Sequence, residues 1–266
     1  MALSALRRRA IMTAMSAVPT VESATATPAP ALPAGRRAVF VEVAIVLVIA
    51  FGGSTLAAVR YLAAALTGFL PAPSQALVGF PTIPWLNAIY DVLLWAAISA
   101  PAALAVFLVV RSGAEPASLG IRRPRWRDAA LGLGLALGYL LLGLVMSVPD
   151  RFVQRITHFF PVTPSYNGLN GVLASVNAGI LEETVVLAYV VHRLEVAGLR
   201  TRSAAAISVV VRLAYHVYYG PFLLPVLLFG IGQTLYFVRA RRLLPLVFGH
   251  AGYDLLVLVL LRAVIH

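Results

Sequence analysis

The stretch GILEETVVLAYVVHRLE, Gly179 to Glu195, decides how this chain is read. It sets two adjacent carboxylates, Glu182 and Glu183, in the middle of an apolar run, with no basic residue within eight positions on either side. His192 and Arg193 come only at its far end. A helix at bilayer depth tolerates such acids when they face a cavity or partners on other helices. The question is whether the rest of the chain supplies a bilayer and partners.

Composition answers the first half. The chain has 266 residues, 61% of them hydrophobic and 12% charged, with a mean hydropathy of +0.90. Soluble domains carry about 25% charged residues, so there is too little charge here to cover a water-facing surface, and the solvent is expected to be lipid. The basic residues are all arginine, and the net charge is +11. They fall in short clusters between apolar runs, which suits anchoring at anionic membrane lipids and not the continuous basic patch of a nucleic-acid surface. The absence of cysteine excludes disulfides, thiolate metal sites and a cysteine nucleophile.

Residues 1–36 read as a disordered cytoplasmic tail rich in Arg, Ala and Pro, and residues 37–266 as a transmembrane domain. Apolar blocks of helix length occupy 39–59, 86–110, 128–148, 168–192, 203–219, 221–238 and 243–263. Each approaches the ~20 residues that cross a bilayer, the fifth and sixth falling short. A further patch, 61–80, is broken by Pro71 and Pro73 and reads as interfacial or re-entrant. The expectation is an all-α polytopic protein of seven to eight transmembrane helices. Arginines crowd the N-terminal flank and the loops after the second, fourth and sixth blocks. The positive-inside rule then puts the N-terminus in the cytoplasm of what is expected to be a bacterial plasma membrane.

Few ionisable residues remain inside the blocks: Glu182 and Glu183 in the fourth, Arg212 and His216 in the fifth, and His250 and Asp254 in the seventh. Asp91 and Glu42 lie nearer the ends of theirs. At 1.5 Å per residue, Glu182, His216, His250 and Asp254 lie roughly 10–20 Å from the cytoplasmic ends of their helices, so they can meet. Arg212 and His216, and likewise His250 and Asp254, are four apart and share a helix face. Glu182 and Glu183 diverge by about 100°, so only one can point straight into a common pocket. Acids and histidines at matched depth suit general acid–base chemistry on water. Glu182, His216 and His250 could equally hold a divalent metal such as zinc, although the HExxH spacing of soluble zinc proteases is absent. The plain alternative is a set of polar contacts that lock helices together.

These residues resemble the CPBP family, the intramembrane CAAX proteases and bacteriocin-processing proteins also called Abi. That family carries EExxxR, then FxxxH on the next helix, then HxxxN or HxxxD near the C-terminus. Here EETVVL supplies Glu182 and Glu183, RLAYH supplies His216, and HAGYD supplies His250 and Asp254. The segment SLGIRRPRWRD, Ser118 to Asp128, is similar to the family's approach to its third helix, and the resemblance spans about 115–262. It implies an intramembrane endopeptidase acting on a lipidated or hydrophobic peptide. In that role Glu182 activates water with help from His216, and His250 and Asp254 face the scissile carbonyl. The family has been described both as metalloproteases and as metal-independent glutamate proteases.

Two departures stand out. Leu187 replaces the motif arginine, and Arg212 replaces the motif aromatic. Arg212, one turn before His216, could return the missing cation from the neighbouring helix. Otherwise the chain is an inactive membrane binding or immunity protein. A proton-coupled transporter is a third reading of the same acids, but no internal repeat supports it. GLGLALG (132–138) reads as close helix packing, Tyr215, Tyr218 and Tyr219 as an interfacial aromatic belt, and His158, His192 and His266 as solvated. Asp91 is expected to line the same cavity or to cap a partner helix.

Overall fold

A computed structural model of the chain describes residues 35–67, 83–157 and 168–261. Seven helices run through them: α1 (Arg36–Leu66), α2 (Pro84–Arg111), α3 (Trp126–Thr157), α4 (Gly168–Val196), α5 (Thr201–Tyr215), α6 (Leu223–Ala240) and α7 (Leu244–Leu255). A wider π-type turn, Leu256–Leu261, continues α7. No strand occurs among the described residues. A helix satisfies its backbone hydrogen bonds internally, which lipid requires. Helices α1 to α4, and the stretch Val217–Ala240 that contains α6, are each long and apolar enough to cross a membrane. The protein is therefore an all-α polytopic integral membrane protein.

Several boundaries move. Residues 61–66, expected in a separate interfacial piece, continue α1, and 68–82 lie outside the described residues. Helix α3 runs on through Pro149 to Thr157, so Arg151 and Arg155 sit on its last turns and not in a loop. Proline gives up only one backbone donor, and the helix carries on past it. The fifth span ends early: α5 stops at Tyr215, and a 3-10 turn, Val217–Phe222, carries Gly220 at φ 56° followed by Pro221. That backbone suits glycine alone, and proline cannot continue a helix. The expected tail falls almost wholly on residues 1–34, which with His158 and His266 lie outside the described residues.

Helix α4 is the axis of the fold. Its most apolar 18-residue window is 67% buried inside the protein, against 11–28% in the other four spans. Val185 to Val191 are fully buried without a break. The neighbours spend their apolar side chains differently, with Val48, Leu56, Leu93, Leu133 and Leu141 all turned outward. Those faces meet lipid; α4 meets protein.

Small residues bring α7 close enough to build a site. A Cβ on Gly179 of α4 would lie 2.7 Å from the Val247 carbonyl oxygen. One on Gly132 of α3 would lie 2.5 Å from Cβ of Phe248. In the same way, one on Gly249 would lie 2.8 Å from Cβ of Leu135. Part of the GLGLALG stretch thus packs closely as expected, while Gly134 and Gly138 face open space.

The arginine-rich ends are tied together by ion pairs. Arg193 of α4 donates to Glu42 of α1 at 2.6 Å, and the Tyr189 hydroxyl donates to the other oxygen of that carboxylate at 2.7 Å. Arg242 Nε donates to Asp128 at 2.8 Å, fixing the start of α3 to the α6–α7 connection. The Arg241 guanidinium clasps Glu195 with bonds of 2.6 and 2.8 Å.

Candidate active site

The middle of α4 is wound as a π-helix from Glu182 to Tyr189. Such turns are rare and recur at functional sites. Here the wide turn starts at the two acids. Glu183 is completely buried, whereas Glu182 keeps 14% of its side chain exposed and lines a cavity of about 310 Å³.

Arg212 arrives from α5 and serves both acids. Its Nη1 donates to Glu182 Oε2 at 3.0 Å, and its Nη2 donates to Glu183 Oε1 at 2.8 Å. Only 3% of the Arg212 side chain is exposed, and its guanidinium carbon lies 5.4 Å over the Phe229 ring. The approach depends on Gly230 of α6, where a Cβ would lie 3.2 Å from Arg212 Cδ. The cation that Leu187 cannot provide thus comes from the neighbouring helix, and Leu187 itself packs fully buried in the core.

The two histidines are held differently. His250 Nδ1 lies 2.7 Å from Glu183 Oε1, so its N–H donates to the buried carboxylate. Its Nε2 lies 3.7 Å from Asp254 Oδ2, one helical turn on and beyond direct hydrogen-bond range. His216 caps the end of α5, and its Nδ1 lies 2.9 Å from the Arg212 carbonyl oxygen. A carbonyl only accepts, so Nδ1 carries the proton and Nε2 keeps the lone pair in the neutral ring. Glu182, Arg212, His216 and His250 all line the cavity, with Tyr139, Tyr219, Phe229 and Tyr253 on its aromatic wall.

Several expectations need correcting. Tyr215 and Tyr219 do not belong to an interfacial belt. The buried Tyr215 hydroxyl donates to Glu182 Oε2 at 2.7 Å, its ring stacks on Phe51 of α1 at 4.5 Å, and Tyr219 lines the cavity. Tyr215 shares the buried face of the last turn of α5 with Arg212, and Tyr219 follows on the 3-10 turn after that helix ends. His192 is not solvated either: its Nε2 is buried on the central helix with no hydrogen-bond partner. Asp91 lies half-buried on α2 and is not among the residues lining the cavity. As a metal centre, the set of Glu182, His216 and His250 does not fit. Among the described residues no three His, Cys, Asp or Glu side chains converge as ligands. The cation between the two glutamates is a guanidinium.

The sequence had signals for Tyr215 that composition alone hides. It precedes His216 directly and stands three residues after Arg212, so all three belong to the last turn of one helix.

Residues 164–256 match the family model described as type II CAAX prenyl endopeptidase Rce1-like. The match covers α4 to α7 and with them Glu182, Glu183, Arg212, Tyr215, His216, His250 and Asp254, and the family resemblance read from the sequence holds over that segment. No curated protein and no solved structure matches the chain.

Proposed function

We propose, with that family match as premise, that the chain is an intramembrane endopeptidase of CAAX-prenyl-protease type, cutting a lipidated or hydrophobic peptide. The observation that carries the reading is the shared cavity: Glu182, His216 and His250 line one space on one side of α4. A transport path would string such groups along the membrane normal; a hydrolase needs them around one water.

Glu182 is the base. Arg212 and Tyr215 both donate to Oε2, which leaves Oε1 without either bond at the cavity wall. A water there gives one proton to the Glu182–His216 pair and its oxygen to the scissile carbonyl carbon, forming the C–O bond as the carbonyl π-pair moves onto oxygen. Collapse of the tetrahedral intermediate breaks the C–N bond, and the departing nitrogen takes back that proton. His216, fixed with its lone pair on Nε2, relays it. His250, oriented by Glu183 as the acid orients the histidine of a serine-protease triad, faces the carbonyl oxygen, and Asp254 biases its outer nitrogen. Arg212 donates to both carboxylates and so holds them in place on α4. The proposed setting is a bacterial plasma membrane with the N-terminus on the cytoplasmic side, an orientation that the arginine clusters favour.

Cleavage of a panel of lipidated and transmembrane peptides by purified protein tests the assignment, with Glu182→Gln beside the wild type and a chelator arm. The reading expects cleavage by the wild type, a loss of roughly 10²–10⁴-fold in Glu182→Gln, the usual worth of a general base, and no effect of chelator. Folded wild-type protein that cuts nothing on a panel that a related protease cleaves would instead support an inactive binding or immunity role.

A further inference from the structure

Two carboxylates and one guanidinium line the cavity, and one of those carboxylates has no part in the chemistry. Asp150 sits near the end of α3, with Gln154 four residues on and therefore on the same face; both line the cavity. Arg151 and Arg155, interleaved with them, are exposed. The end of the helix thus sorts its charges by face, with cations outside and an acid and an amide inside.

Asp150 is the odd member among the acids near this site. Glu182 and Glu183 share Arg212, and Asp254 stands next to His250, whereas Asp150 makes no hydrogen bond or ion pair with any described residue. A carboxylate that lines the cavity near the end of a span, with no ion pair to any described residue, is open to a group that enters the cavity. The visiting group that suits it brings the opposite charge. Glu183, immediately behind the wall, is already bonded by Arg212 and His250, so neither of these is directed at Asp150.

We infer that Asp150, with Gln154 beside it, is a specificity determinant that binds a basic side chain of the substrate. The inference rests on the proteolytic reading and narrows its substrate to a hydrophobic peptide with a cation at a set distance from the cut bond. Asp150 lies eleven residues beyond Tyr139, whose ring is 4.2 Å from Phe229, itself 4.9 Å from the His250 ring. Eleven residues of helix span about 16 Å. An extended peptide covers that in about five residues, so the basic residue stands about five positions from the scissile bond.

The test uses hydrophobic peptides with arginine, its neutral isostere citrulline, or glutamate five residues to either side of the cleavable bond. Both cleavage by the wild type and binding of fluorescent peptides to the Glu182→Gln protein in detergent are measured. The arginine peptide is expected to be cut and bound roughly tenfold better than the citrulline peptide, the weight of one charge-assisted contact. Asp150→Asn should erase that preference while still cutting the citrulline peptide, and Asp150→Arg should prefer the glutamate peptide. Equal handling of arginine and citrulline peptides by the wild type overturns the inference without needing any variant to fold. An arginine preference that survives Asp150→Asn overturns it too. If nothing is cut but the preference appears in binding, the proteolytic reading fails and the assignment of Asp150 stands.

Discussion

Replacing Arg212 by leucine removes the one cation that two buried acids share. Its side chain is 3% exposed, Glu183 is not exposed at all, and the bonds of 2.8 and 3.0 Å are the direct compensation for placing carboxylates there. Removing one partner of a buried pair costs about 3–5 kcal/mol, because the remaining charge is left uncompensated. Here two charges are left, so the upper part of that range is expected. Stability would be followed by unfolding in mixed micelles and activity by peptide cleavage. A double-mutant cycle with Glu183→Gln separates the pair from general damage. Glu183→Gln alone also disrupts His250, while in the double variant one of the two orphaned acids is gone, so the two losses should fall short of additive by about 1–3 kcal/mol. An Arg212→Leu protein within about 0.5 kcal/mol of wild type and still active, or losses additive within that margin, would refute the shared-cation argument.

Gly179→Ala would push its new methyl into the Val247 backbone carbonyl, which cannot swing aside, at a cost of about 1–3 kcal/mol. By prising α7 from α4 it should also loosen the bond between His250 and Glu183 and cut kcat more than tenfold, whereas Gly134→Ala, in open space, should gain up to ~1 kcal/mol with activity intact. Tyr215→Phe removes one donor to Glu182 and should cost about 1 kcal/mol of stability, together with a fall in kcat that leaves KM little changed. Glu42→Gln weakens the clasp of α1 on α4 remote from the cavity, so unfolding should come about 1–3 kcal/mol earlier while the folded fraction keeps wild-type kcat. A proportional loss of kcat per folded molecule in Glu42→Gln would show that the clasp and the site are coupled.

Much of this protein is readable along the chain because lipid imposes its demands locally. Apolar blocks of sufficient length must be helices, and polar residues within them must be used. That reasoning locates Glu182, Glu183, Arg212, His216, His250 and Asp254 before any fold is seen, and the helix order follows from the same blocks. It misreads Tyr215 and Tyr219, because a tyrosine near a span's end looks interfacial unless the break at Gly220 and Pro221 is weighed as a reason for the helix to stop early. It misreads His192, because apolar periodicity cannot separate a helix wrapped by protein from one bathed in lipid.

Pairing is what only the tertiary structure decided. The chain by itself specified an all-α membrane protein, its buried acids and histidines, and the gap left by Leu187. It could not say that Arg212 would grip both glutamates, that His250 would turn to Glu183 instead of Glu182, or that Asp150 would share their cavity. Depth follows from counting residues along one helix. Partnership depends on how close α5 and α7 come to α4 and on which faces they turn, and the contacts at Gly179 and Gly230, together with the π-wound middle of α4, set those quantities between helices.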